Sequence, residues 1–233
     1  MILIIGVVFM LIGMWVSSRL KSKFAEYSRV GLSNGLSGAE IAQKMLHDNN
    51  IYDVRITQVD GELTDHYNPA DKTVNLSADV YHGRSVSAAA VAAHECGHAV
   101  QHATAYAALK MRSAMVPAVN VASNVMRMLN MFLMFGGIYM LSQGSAIGNM
   151  LLIVLIIANA AITAFSLITL PVEYDASKRA LAWMTTRNVV NNSEHGMAKD
   201  ALDWAARTYV VGALAAIANL MYYVMLFLGR RDD

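Results

Sequence analysis

The nine residues Ala92-Ala93-His94-Glu95-Cys96-Gly97-His98-Ala99-Val100 carry side chains that could do chemistry together. Two histidines four apart stack on one face of a helix, so both imidazoles can reach a single metal ion at about 2.0–2.1 Å. Glu95 lies on the adjoining turn, near enough to take a proton from a water held by that ion and badly placed to be a third ligand. H-E-x-x-H in an alanine-rich helical setting is the pattern of metal-assisted hydrolysis. Ser87 is expected to cap this helix, which should cover about residues 87–105. Cys96 falls roughly 200° around the helix from His94 and should point away from the metal as a small packing residue. His102 continues the histidine face, but it lies roughly 12 Å along the axis from His94, too far to share one ion. The competing reading is an ordinary helix whose histidines only form hydrogen bonds. A metal site therefore needs another ligand from elsewhere in the chain.

Composition places that helix in a membrane protein. Of the 233 residues 56% are hydrophobic and only 15% charged, and the apolar residues come in long blocks. A net charge of +1 with no basic stripe gives no reason to expect a nucleic-acid partner. The single cysteine excludes an internal disulfide, and the 16 methionines suit gap filling in apolar surroundings.

Residues 1–18 are uncharged and are followed by Arg19, Lys21 and Lys23, as in a transmembrane anchor with its carboxyl end in the cytoplasm. A cleaved signal peptide is the alternative, but it lacks a basic start and an A-x-A site. Residues 19–127 read as a cytoplasmic domain. Within it Ser37-Gly38-Ala39-Glu40 opens a helix as a capping box, and three strands are expected at 54–59, 63–67 and 73–77. The third precedes the histidine helix directly and could serve as the edge on which an extended peptide pairs, or could simply pack under the helix. Pro117 should kink or end the following helix, and 111–126 reads as an amphipathic approach to the bilayer.

Residues 128–172 contain no charge. At 1.5 Å per residue they make roughly 68 Å of helix, about two crossings of a 30 Å hydrocarbon core. A turn at 142–149 makes this a transmembrane hairpin, which brings the chain back to the side that holds His94. Glu173 is the first acid after it and can complete a His, His, Glu site that leaves a fourth position for water. The bland reading of Glu173 is a solvated acid capping the next helix near Pro171; Asp175, Glu194 and His195 are the other candidate ligands. Residues 173–207 form a second cytoplasmic segment with a break at Asn191-Asn192-Ser193, and 208–229 read as a fourth span. The expected fold is thus a mainly α membrane protein with about four transmembrane helices and a small α+β cytoplasmic domain.

Several stretches together carry a resemblance: Asp65-His66-Tyr67-Asn68-Pro69, Val74-Asn75-Leu76-Ser77 with Val80-Tyr81, the segment from Ala92 to His102, Leu170-Pro171-Val172-Glu173-Tyr174-Asp175-Ala176-Ser177, and Thr208-Tyr209-Val210. With these the chain resembles the bacterial membrane zinc metallopeptidases of the YugP kind. More distantly it is similar to HtpX and the CAAX prenyl proteases, gluzincins in which a transmembrane hairpin separates H-E-x-x-H from the glutamate ligand. The resemblance implies a zincin-like domain, Zn2+ held by His94, His98 and Glu173, and Glu95 as general base. In the HtpX pattern an aspartate four residues after the ligand glutamate braces the site. Here that position is Ser177, so the bracing cannot be carried over.

The function expected is a multi-pass cell-membrane zinc metallopeptidase acting on membrane proteins or peptides at the cytoplasmic face. Zinc would polarise water and the scissile carbonyl, Glu95 would move the proton, and Tyr174, Tyr209 or His195 would stabilise the oxyanion. The rival is a non-catalytic membrane scaffold or adaptor that keeps zinc only for folding, although structural zinc is usually closed by four protein ligands. A transporter is disfavoured because no span carries an ionisable residue.

Overall fold

The computed structural model describes residues 2–132 and 146–229. The chain is mainly helical, and its elements in order are α1 (Ile2–Tyr27), α2 (Gly38–Asp48), β1 (Arg55–Val59), β2 (His66–Asn68), β3 (Thr73–Ser77), α3 (Ala78–Tyr81), α4 (Val86–Ala103), α5 (Ala107–Phe132), α6 (Ala146–Thr186) and α7 (Asn192–Leu228). They group into two compact units. One comprises Met1–Gly13, Met111–Thr169 and Tyr209–Asp233; the other comprises Met14–Lys110 and Leu170–Thr208. Helices α1, α5, α6 and α7 each contribute residues to both.

In the first unit, Leu152, Leu155 and Tyr223 are buried, with Met126, Leu129 and Leu226 packed on them. Among the described residues α1, α6 and α7 are long and apolar enough to cross a membrane. Residues 133–145, most of the first arm of the expected hairpin and half of its turn at 142–149, lie outside the described residues, as do Arg230 and Arg231, and 146–149 already belong to α6. Helix α5 does not end at Pro117 but runs through it. Proline removes one backbone donor, and the rest of the ladder continues on both sides. Residues 111–126, read above as an amphipathic approach to the bilayer, cluster with this unit.

The second unit is built around α4. Fifteen of its eighteen residues are buried, so it is covered on nearly every side, and alanine predominates because neighbours approach closely all round. The cap is Ser85 rather than Ser87: its side chain accepts from the Ala88 N–H, while Ser87 Oγ pairs with Ser85 Oγ at 3.2 Å. The C-terminus is set by Thr104 and by Ala105 at φ +55°, two residues short of expectation. Helix α2 opens with the anticipated capping box and lies against α4, where Cys96 Sγ meets the Ala42 carbonyl at 3.6 Å.

The sheet has the order β1-β3-β2, with β1 parallel and β2 antiparallel to β3. The expectation that β3 is an edge is therefore wrong: both of its sides are paired, and four of its five residues are buried. The thirteen residues 60–72 between β1 and β3 are enough for a parallel crossover, and β2 is folded out of that crossover onto the far side. The free edge near α4 belongs to β2.

Helices α4 and α6 cross at Gly97. A Cβ built there would lie 2.6 Å from the Ala176 carbonyl oxygen and 3.1 Å from its Cα, so only glycine allows this approach. Gly97→Ala is expected to push α6 away and cost about 1–3 kcal/mol. Chemical denaturation of the metal-free protein checks this; unchanged stability would contradict the close crossing.

Candidate metal centre

The crossing places two i, i+4 pairs face to face. Helix α4 offers His94 and His98, and α6 offers Glu173 and Ser177. Glu173 Oε2 lies 3.3 Å from His94 Nε2 and 3.5 Å from His98 Nε2, and the three ligand atoms fall within 4.8 Å of one another. All three residues are largely withdrawn from solvent, Glu173 at 2% exposure. Two ligands bonded to zinc at about 2.0–2.1 Å in a tetrahedron stand roughly 3.3–3.4 Å apart. A direct charge-assisted N–H···O contact would close to about 2.7–2.9 Å. The two separations from Glu173 are close to the edge of a coordination tetrahedron, and the set of two imidazoles and a carboxylate suits zinc.

Both rings are held from behind. His94 Nδ1 is 3.0 Å from Ser177 Oγ, and His98 Nδ1 is 3.0 Å from Gln101 Oε1, which leaves each Nε2 facing Glu173. The rings stand nearly perpendicular, at 85°. Burial alone would lower the pKa of His98, but the Glu173 carboxylate facing it and the Glu95 charge outweigh it and hold the imidazole above its usual value. Ser177 thus stands where an aspartate was looked for, and as a neutral group it still reaches the ring.

Glu95 is tied to the sheet. Its Oε2 accepts the backbone N–H of Tyr67 at 3.0 Å, on the edge of β2 not paired to β3. The Tyr67 hydroxyl meets His102 Nδ1 at 2.7 Å, and burial, with the charges of Asp53 and Asp71, pushes that phenol up to about 12. His102 is engaged with β2 and stands apart from the triad, as its distance along the helix requires. Burial and the Glu95 charge hold the Cys96 thiol well above its normal range, and its Sγ faces the Ala42 carbonyl of α2.

The other candidate ligands are occupied elsewhere. Asp175 Oδ2 accepts from Gln101 Nε2 at 2.8 Å and from Arg179 Nε at 2.6 Å. Glu194 accepts from Ser33 N at 2.7 Å, Ser33 Oγ at 3.0 Å and Asn191 N at 2.8 Å, and with Asn191 it forms a capping box at the start of α7. His195 follows it on that first turn. Of the oxyanion candidates, Tyr174 is exposed and Tyr209 belongs to the apolar unit. Gln101 and Ser177 went unassigned in the sequence as supporting groups. Spacing could have found them: Ser177 is four residues from Glu173, and Gln101 three from His98.

Residues 2–228 match the family described as "putative neutral zinc metallopeptidase". The chain is 43% identical over 220 residues to "Putative membrane protease YugP" of Bacillus subtilis (strain 168), covering 94% of this chain and 93% of that protein. No solved structure matches. Because the match runs from the first helix to the last, and the relative agrees along nearly its whole length, the chain belongs to this family of neutral zinc metallopeptidases.

Proposed function

We propose that this protein is a membrane zinc metalloendopeptidase of the gluzincin type, which cleaves peptide bonds of membrane proteins or peptides at the cytoplasmic face. The observation that carries the reading is the placement of Glu173 Oε2 at tetrahedral-edge distances from both histidine Nε2 atoms, on the helix that also carries Glu95 toward a free strand edge. His94, His98 and Glu173 would hold the zinc, which when bound supplies Lewis-acid activation of water and of the scissile carbonyl. Only three protein ligands converge among the described residues, the ligand count of a catalytic rather than a structural site.

The chain's own groups do the rest. Glu95 is the general base: it takes the proton from the attacking water and returns it to the leaving amine. The Tyr67 N–H holds one oxygen of that carboxylate, which fixes its orientation and leaves the other oxygen for the proton. The outer edge of β2 is where an extended peptide would pair beside Glu95, taking the place first considered for β3. Glu173 follows Thr169, the last residue of the apolar segment assigned to the first unit, by four residues, which supports peptides at the membrane surface as substrates. Arg19, Lys21 and Lys23, which follow the uncharged run 1–18 within α1, and Lys178, Arg179 and Arg187 after Glu173 favour the cytoplasmic side.

Glu95→Gln is expected to lower cleavage of casein or a membrane peptide by about 10²–10⁴-fold. Its zinc content should stay that of the wild type, whereas Glu173→Ala should lose zinc. Equal fragment yield from the wild type and Glu95→Gln would remove the enzyme reading and leave the zinc-keeping scaffold. For the orientation, Tyr52 is 72% exposed and the native Cys96 is buried, so a Tyr52→Cys variant supplies one accessible thiol. An impermeant maleimide should label it in inside-out vesicles and spare it in intact cells; labelling of intact cells would reverse the topology.

A further inference from the structure

We infer that Gln101 fixes the tautomer of His98, so that its Nε2 is preset as a metal ligand before the metal arrives. The inference rests on reading His94, His98 and Glu173 as the metal site. Gln101 is fully buried. Its Nε2 donates to the Val172 carbonyl at 2.8 Å and to Asp175 Oδ2 at 2.8 Å, and its Oε1 faces His98 Nδ1 at 3.0 Å. The Val172 carbonyl can only accept, and the Asp175 oxygen already receives Arg179 Nε at 2.6 Å. Turning the amide over would set its oxygen against two acceptors, at the cost of two buried hydrogen bonds. Only one orientation survives, and in it the group facing His98 is a pure acceptor. Nδ1 must therefore carry a proton, and the lone pair of the neutral ring lies on Nε2, toward Glu173.

The anchor behind this relay is also fixed. The Arg179 guanidinium lies over the Tyr106 ring, 5.8 Å from its centroid, and its Nε donates at 2.6 Å to the same Asp175 oxygen that Gln101 bonds. His94 has no such instruction: a serine hydroxyl both donates and accepts, so Ser177 follows whichever tautomer His94 adopts. The two histidines are thus unequal, His98 set in advance and His94 adaptable. Because the group behind His98 is an amide and not a carboxylate, it directs the proton without adding charge to the site.

Gln101→Leu keeps the volume and removes the acceptor. Zinc affinity, measured by competition with a chelator, is expected to fall about 10–100-fold. In the cobalt(II)-substituted wild type, the hyperfine-shifted His98 Nδ1–H resonance should exchange slowly in D2O, and in Gln101→Leu it should exchange fast. An unchanged zinc Kd would overturn the inference, as would a weakened Kd with the slow resonance retained, which marks a packing role. A wild-type cobalt spectrum with no slowly exchanging His98 Nδ1–H would overturn it even if the variant does not fold. Failure of the wild type to bind zinc at all would instead sink the metal-site reading itself.

Discussion

Everything at the candidate centre depends on how closely two helices can approach at one residue without a side chain. Gly97 lies between the two histidines in sequence, and the backbone of Ala176 occupies the space that a Cβ would take. The same contact sets Glu173 against the imidazoles and Ser177 and Gln101 behind them. If α6 moved outward by the few tenths of an ångström to more than an ångström that a methyl group demands, the ligand and both supporting hydrogen bonds would change together. The alanines and glycine of α4 have a second purpose beyond helix propensity: they bring other backbones within reach of a buried polar cluster.

Charge is handled economically. The ligand set contributes one carboxylate, and both histidines are backed by neutral groups, a hydroxyl and an amide. The carboxylate that could have been a rival ligand, Asp175, is neutralised by Arg179 and turned toward Gln101. Glu194, the other buried acid considered, joins the start of α7 to the loop at Ser33. Asp175 and Glu194 each have donors of their own, which is the condition for withdrawing them from water.

Much of this was legible in the sequence, and the parts that were not share a cause. The spacing of His94 and His98 sets their common face, and the uncharged run up to residue 172 makes Glu173 the first acid of the returning chain; neither depends on tertiary detail. The break before Asn192 was readable because Asn191 and Glu194 have capping spacing. The sheet order was not: local alternation finds strands but carries no information on which one is central, and β3 turned out to lie between the other two. The cap of α4 moved from Ser87 to Ser85 because two nearby serines compete, and packing decides between them. Gly97, Gln101 and Ser177 have meaning only once α4 and α6 are in contact. Propensity cannot announce a contact between residues 79 positions apart.

Zinc K-edge X-ray absorption on the purified, zinc-loaded protein tests the centre most directly. Two imidazole nitrogens and light oxygen scatterers at about 2.0–2.1 Å, with no sulfur, are expected. A sulfur shell near 2.3 Å would implicate Cys96, and a spectrum with fewer than two imidazoles would dissolve the pairing of α4 with α6 as a metal site.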